Sequence, residues 1–196
     1  MPTVFSHAAI GFFAAKVPNG AGKSSSRMTV AAIILAAMPD ADALFINIVP
    51  YNSPFGHRGF THSIFFAAVI GVLSALLFSK AHWAPERSFW FLASLFTIAT
   101  ASHGFFDAMT DGGLGVAFFA PFSNTRYFFP WRPIPVAPLS LAPLATARGV
   151  RVIYWELGLF WTFGLAAFIW DRKAIWRIVL SIACTAIGIA MWILAI

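Results

Sequence analysis

Long apolar stretches alternate with short polar ones along most of the chain. A stretch of roughly 20 apolar residues is what an α-helix needs to cross about 30 Å of hydrocarbon. Such helices satisfy their own backbone hydrogen bonds, so the pattern predicts an all-α polytopic membrane bundle. The predicted full spans, about five, are residues 28–49, 60–78, 88–106, 152–170 and 178–196.

Two further segments depart from this pattern. Residues 3–15 are apolar but short, so they predict a half-spanning N-terminal helix rather than a cleaved signal. Residues 111–150 are rich in proline and aromatic side chains, which predicts an irregular lid at the outer membrane surface. We therefore interpret residues 1–196 as a single membrane-embedded domain.

Composition excludes a soluble or disordered chain. Hydrophobic residues make up 60% of the sequence and charged residues 10%, against roughly 25% charged in soluble domains. The mean hydropathy is +0.80. A net charge of +6 in such a chain favours orientation against anionic lipid, so membrane lipids are the expected partners and nucleic acid is not. The single cysteine, Cys184, excludes a disulfide framework and a cysteine-based metal site.

Basic residues predict the orientation of the chain. If the loops alternate in side from the first segment onward, one side receives eight Lys and Arg residues and the other five. The positive-inside rule places the richer side in the cytoplasm. The lid segment then lies on the outer side.

Acidic and imidazole side chains gather at this predicted outer end. Of the twelve in the chain, only His82, Glu86 and Asp171 fall in predicted cytoplasmic loops. An ionisable group at membrane depth costs about 2.5–3.5 kcal/mol on insertion scales, so each of the others is a functional candidate. They are His7, Asp40, Asp42, His57, His62, His103, Asp107, Asp111 and Glu156.

Histidine with carboxylate is the ligand set of zinc and similar divalent ions. His103 and Asp107 are four residues apart, which predicts one shared helix face. Asp40 and Asp42 lie about 200° apart on an α-helix, so they can share a ligand face only where the helix breaks. Taken singly, each residue also has an ordinary interpretation, such as His7 contacting a lipid headgroup. Their coincidence favours a metal site.

The same motifs resemble those of the YdjM-type bacterial inner-membrane proteins, described as LexA-binding or membrane-bound metal-dependent hydrolases. The resemblance extends over roughly residues 1–156 and implies an inner-membrane location and a hydrolase. A weaker likeness, in ligand order, is to zinc-dependent phospholipase C. The spacings between the ligands differ from those of phospholipase C, and this chain has no two later histidines to complete a third metal position. The stretches that match the YdjM-type family are FSHAAIG, MPDAD, HRGFTHS, SHGFFDAMTDGG and PFSNTRYFFPWRPI.

The predicted function is a multi-pass hydrolase of the inner membrane whose site faces the periplasm. It would cleave a phosphoester of a lipid or lipid-linked substrate with metal-activated water. Zinc is the expected ion and manganese the second candidate, as one or two ions. The predicted metal ligands are His7, Asp40, His62, His103 and Asp107.

Further side chains are candidates for catalysis around this set. Asp42 and Glu156 could act as the base or orient a ligand imidazole. Arg58 and Arg126 could clamp phosphate oxygens, because a guanidinium matches them at two points. Additional candidates are His57, Asp111 and Arg132.

Two alternatives stay open. A transporter, or an ion- or proton-binding membrane protein, could use the same His/Asp cluster, although the inner halves of the spans are almost purely apolar. A regulatory scaffold is suggested only by the LexA-binding description, and loss of the metal ligands would leave that role intact. The sequence leaves the oligomeric state open.

Overall fold

A computed structural model of the chain describes residues 2–16, 25–138 and 146–158, and the isolated positions 187, 188 and 190. Within these ranges the regular secondary structure is helical, with two short 3-10 segments between the helices. The helices of the described residues are α1 (Val4–Lys16), α2 (Ser26–Ala37), α3 (Ile64–Lys80), α4 (Phe89–Ala108) and α5 (Ala147–Glu156).

The prediction of five full membrane spans is wrong. In the described part of the chain, two helical stretches are long and apolar enough to cross a membrane, Ser26–Phe45 and Phe89–Ala108. Helix α3 has 17 residues and is therefore about 25 Å long at 1.5 Å per residue, short of the hydrocarbon thickness. Hydropathy overestimated its length because Phe60–His62 forms a separate 3-10 turn. Most of the stretches 152–170 and 178–196 lies outside the described residues.

The chain stays helical beyond Ala37, where α2 ends, but its hydrogen-bonding pattern changes there. It continues directly into a 3-10 helix, Met38–Phe45, with Pro39 in its first turn. A proline inside an α-helix removes a hydrogen bond and clashes with the preceding turn, so the chain tightens at this point. Asp40 and Asp42 lie on this tighter segment, and both are buried.

Close helix packing holds the bundle together. Helix α1 packs on α2, α2 packs on α4, and α3 packs on α4. At Gly71 of α3 a Cβ atom would lie 2.6 Å from the backbone nitrogen of Thr97 in α4, so only glycine allows this approach. The largest apolar cluster, which includes Met28, Phe78 and Phe96, lies towards the end of the bundle where α3 leads into α4. The opposite end is left for polar groups.

The connection after α4 covers that polar end. Residues 111–138 of the predicted lid contain no helix, and their backbone pairs only through isolated bridges such as Val116 with Tyr127. Hydrogen bonds tie the segment to the bundle, for example from the nitrogen of Phe129 to the oxygen of Ala108 in α4 at 2.9 Å. The last residues of the predicted lid, 147–150, are helical instead of irregular, because α5 begins at Ala147.

Candidate metal site

Polar side chains from distant parts of the sequence meet under the 111–138 segment. His7 comes from α1, Asp40 from the 3-10 helix after α2, His62 from the turn before α3, and His103 and Asp107 from α4. All are buried, with exposed fractions between 0% and 9%. The structure therefore brings together the five side chains that the sequence nominated as metal ligands.

The facing atoms of four of these side chains, Asp40, His62, His103 and Asp107, lie within 4.8 Å of one another, as ligands around one ion would. Two ligand atoms on a tetrahedral zinc at 2.0–2.1 Å are about 3.3 Å apart. The Nε2 atom of His103 is 3.1 Å from an oxygen of Asp40 and 4.0 Å from one of Asp107. The Nε2 atom of His62 is 3.5 Å from Asp107 and 3.7 Å from Asp40. The Nε2 atom of His7 is 3.6 Å from Asp107.

Most of these atoms have no hydrogen-bond partner among the described residues. The atoms without a hydrogen bond are both ring nitrogens of His7, Nε2 of His62 and of His103, and all four carboxylate oxygens of Asp40 and Asp107, although one oxygen of Asp107 also lies 3.1 Å from Nε of Arg58. Buried polar atoms in proteins are nearly always hydrogen-bonded. A group of this many donors and acceptors without hydrogen bonds therefore needs an explanation. A divalent cation provides one, because its charge matches the two carboxylates and its ligands are these same atom types. The residues fit a metal ion.

The far sides of two imidazoles are fixed so that Nε2 points into the cluster. Nδ1 of His103 lies 2.8 Å from the carbonyl oxygen of Ala36, to which it must donate. Nδ1 of His62 lies 3.2 Å from an oxygen of Asp42. Such partners behind a metal-binding histidine fix the ring and its tautomer.

Asp42 also contacts two neighbours of His62. One carboxylate oxygen lies 2.6 Å from Nδ1 of His57, and the other accepts a hydrogen bond of 2.6 Å from the hydroxyl of Thr61. Asp40, Asp42, His57 and His62 form a second group with ligand atoms close enough for an ion, overlapping the first group, Asp40, His62, His103 and Asp107. The two groups could hold one or two ions.

The pKa of His62 reflects these surroundings. Burial disfavours its charged imidazolium form, but attraction to the carboxylates of Asp107, Asp40 and Asp42 outweighs burial and raises the pKa well above its ordinary value. Without a cation, the doubly protonated imidazolium form of His62 therefore persists to a higher pH than in free histidine. A metal ion that binds Nε2 must displace the proton on that nitrogen.

Arg58 lies beside the cluster with its guanidinium occupied. Its Nε atom is 3.1 Å from Asp107, and its terminal nitrogens donate to the carbonyls of Gly112 and Leu114 and to the hydroxyl of Thr110. Its backbone has a φ of 62°, a value that residues other than glycine adopt rarely and only where surrounding contacts hold them. These contacts fix Asp107 and the turn after α4. The predicted contact of Arg58 with phosphate stays a prediction.

Arg126 is occupied in a similar way at the surface of the lid. Its terminal nitrogens donate to the carbonyls of His57 and Gly115 on one side and of Tyr51 and Ser53 on the other. It therefore joins the loop of residues 51–57 to Gly115 of the lid, close to the cluster. Its predicted function as a phosphate clamp also stays a prediction.

The remaining candidates lie away from the five ligands. The carboxylate of Glu156 accepts hydrogen bonds from the backbone nitrogen and the hydroxyl of Thr3. Asp111 is exposed and accepts a hydrogen bond of 2.8 Å from the nitrogen of Val136. Arg132 is exposed, with its guanidinium 4.9 Å from the ring centre of Phe128.

Sequence reasoning missed the hydroxyl groups that support the charged residues. Thr61 donates to Asp42, and Thr110 accepts from Arg58 while donating 2.7 Å to the carbonyl of Asp107. Both stand inside the motifs already singled out. Threonine is too common in loops for its position to have predicted these contacts.

The YdjM inner membrane protein family matches residues 1–194, which include every residue of the cluster. The chain belongs to this family. It is 38% identical over 186 residues to the inner membrane protein YbcI of Escherichia coli (strain K12), an alignment that covers 88% of this chain and 99% of the relative. No solved structure matches the chain significantly.

These comparisons confirm the predicted family and the inner-membrane location. Both descriptions name a membrane and neither names an activity, a metal or a substrate.

Proposed function

We propose that the chain is a metal-dependent hydrolase of the inner membrane. It would hold one or two divalent cations, zinc foremost and manganese second, and act on a phosphoester of a lipid or lipid-linked substrate. The observation that carries the proposal is the convergence of buried histidine nitrogens and aspartate oxygens that have no hydrogen bond. The residues that would hold the metal are His7, Asp40, His62, His103 and Asp107. When bound, a divalent cation supplies a Lewis acid that activates water near neutral pH.

The residues around the ligands keep this site in one arrangement. Arg58 holds an oxygen of Asp107, Asp42 holds His62, and the carbonyl of Ala36 holds His103. A site preorganised in this way loses little free energy when it binds its ion or its transition state.

The pair of Asp42 and His57 is suited to moving a proton next to the cluster. Nδ1 of His57 is 2.6 Å from an oxygen of Asp42, which fixes the orientation of the ring. Nε2 of His57 then remains as the atom that exchanges a proton with water or substrate. The carboxylate of Asp42, a base candidate from the sequence, would act here through His57.

Exposed apolar side chains around this end of the bundle favour a lipid substrate. Leu44, Ile48 and Phe122 are each about four-fifths exposed, at 81%, 78% and 82%. Phe55 and Trp131 are also largely exposed. Surfaces of this kind suit the membrane interface, from which a lipid phosphoester could reach the cluster.

Phosphoester hydrolysis by the detergent-purified chain tests the proposal. We expect a zinc- or manganese-loaded chain to cleave a phospholipid in mixed micelles, and to lose this activity with a chelator and in Asp107→Asn. Asp111→Asn makes the same chemical change at an exposed site and should retain the activity. If the metal-loaded chain cleaves neither a phospholipid nor p-nitrophenyl phosphate, the hydrolase proposal fails. Zinc flux into vesicles containing the chain would then favour a transporter.

A further inference from the structure

Among the ligand histidines, His7 is held least directly. Nδ1 of His62 and of His103 each face a fixed oxygen, but neither ring nitrogen of His7 has a hydrogen-bond partner in the described part of the chain. Its ring stacks on that of His103, with ring centres 3.6 Å apart and planes inclined by 15°. The position of His7 is therefore set by the backbone of α1 and by this stacking rather than by a hydrogen bond to its ring.

Helix α1 is fixed at two points. In its middle, Gly11 packs against the backbone of Ala32 in α2 so closely that a side chain would not fit. At its start, Thr3 gives both its backbone N–H and its hydroxyl to the carboxylate of Glu156, at the end of α5. The carbonyl of Thr3 in turn accepts a hydrogen bond from the backbone nitrogen of His7 at 3.4 Å.

Glu156 is thus a buried carboxylate without a contact to the cluster. Its exposed fraction is 6%. The residue before it, Trp155, is buried and packs in one apolar cluster with Ala9 of α1 and Ile134 of the lid. A carboxylate at the first turn of a helix also interacts favourably with the helix dipole. Helix α5 therefore meets α1 at the turn that carries His7.

We propose that Glu156 is a positioning residue for the metal cluster: by holding Thr3 it fixes the first turn of α1 and with it the imidazole of His7. This inference rests on the proposed metal site. It assigns to Glu156 a function through His7 and not a contact with substrate. Loss of the Glu156 carboxylate would free His7 to leave the cluster while His62, His103 and Asp107 keep their own supports.

Cobalt binding to the detergent-purified full chain tests the inference, because the visible spectrum of Co²⁺ reports its ligands. We expect Glu156→Ala to bind Co²⁺ about tenfold more weakly or worse, the usual effect of losing a residue behind a metal ligand. Its spectrum should shift towards that of His7→Ala. Glu156→Gln should restore much of the affinity, because its amide can still accept from the nitrogen of Thr3 and donate to the hydroxyl.

Controls separate this inference from the metal site itself. Glu86→Ala removes an exposed carboxylate from the loop between α3 and α4 and should match the wild type. If the wild type binds no cobalt, the proposed function fails. If the wild type binds cobalt and His7→Ala alters the spectrum, but Glu156→Ala keeps the wild-type affinity and spectrum, only this inference is overturned.

A second variant covers the case in which Glu156→Ala does not fold. Thr3→Val removes one of the two groups that Glu156 accepts from. We expect a smaller spectral shift in the same direction as in His7→Ala. A lower melting temperature with an unchanged cobalt spectrum in Thr3→Val would mean that the contact only stabilises the fold, and would overturn the inference.

Discussion

Asp42 shows how single side chains outside the ligand set determine the site. Its two oxygens reach His57 and Thr61 at 2.6 Å and His62 at 3.2 Å, so one carboxylate orients a ligand and a neighbouring imidazole. The MPDAD motif predicted that Asp42 would be important, but which imidazole it contacts depends on the fold. Sequence alone could place His103 and Asp107 on one face, since that follows from helix geometry.

Substitution of Asp42 should weaken metal binding although Asp42 is not one of the five proposed ligands. We expect zinc affinity to fall about 10- to 100-fold in Asp42→Ala, because His62 loses the group that fixes its ring. Asp111→Ala is the matched control, since its carboxylate is exposed and only contacts the backbone of the lid. Zinc titration of the purified variants measures this. Equal affinities in the two variants would contradict the contact between Asp42 and His62.

The raised pKa of His62 predicts a pH dependence of metal binding. Below that pKa the empty site holds a proton on His62, and a metal ion must displace it. Metal affinity should therefore increase as the pH rises towards the raised pKa, and binding at neutral pH should release protons. Calorimetric zinc titrations in buffers of different ionisation enthalpy measure the number of protons released. In His62→Ala the release should diminish, and an unchanged release there would contradict the assignment.

At the scale of elements, the break in α2 and the close approach of α3 to α4 create the site. The 3-10 segment that begins beside Pro39 brings Asp40 and Asp42 to opposite ring nitrogens of His62. The sequence predicted that both carboxylates could be used only if the helix broke. Hydropathy, which averages over many residues, could not show where that break lies or that α3 is too short to span.

Gly71 should be essential for the packing of α3 on α4. Gly71→Val places a side chain against the backbone of Thr97 and should destabilise the chain by about 1–3 kcal/mol, as overpacking does. Leu73→Val puts the same residue type on the exposed face of α3 and should have little effect. Thermal melting in detergent compares the two. Equal melting temperatures would contradict the close contact.

At the scale of the whole molecule, family membership establishes the inner membrane but not the side on which the cluster lies. The distribution of Lys and Arg predicts the periplasmic side, with the loop between α3 and α4 in the cytoplasm. Glu156 illustrates what sequence cannot supply at this scale. Its contact with Thr3 joins residues 153 positions apart, and no local pattern encodes it.

Cysteine labelling tests the proposed orientation. In a Cys184→Ala background, Asn52→Cys at the exposed loop near the cluster should react with a membrane-impermeant maleimide added to spheroplasts. Glu86→Cys, exposed at the opposite end, should react only after the membrane is permeabilised. The reverse pattern would place the cluster in the cytoplasm.

The metal content of the purified chain tests the central claim most directly. Elemental analysis should compare the wild type with His103→Ala, Asp107→Ala and the exposed control Asp111→Ala. We predict one or two equivalents of divalent metal in the wild type and the control, and loss of metal in the two cluster variants while they remain folded. A wild-type chain that stays metal-free after incubation with zinc or manganese would contradict the metal site.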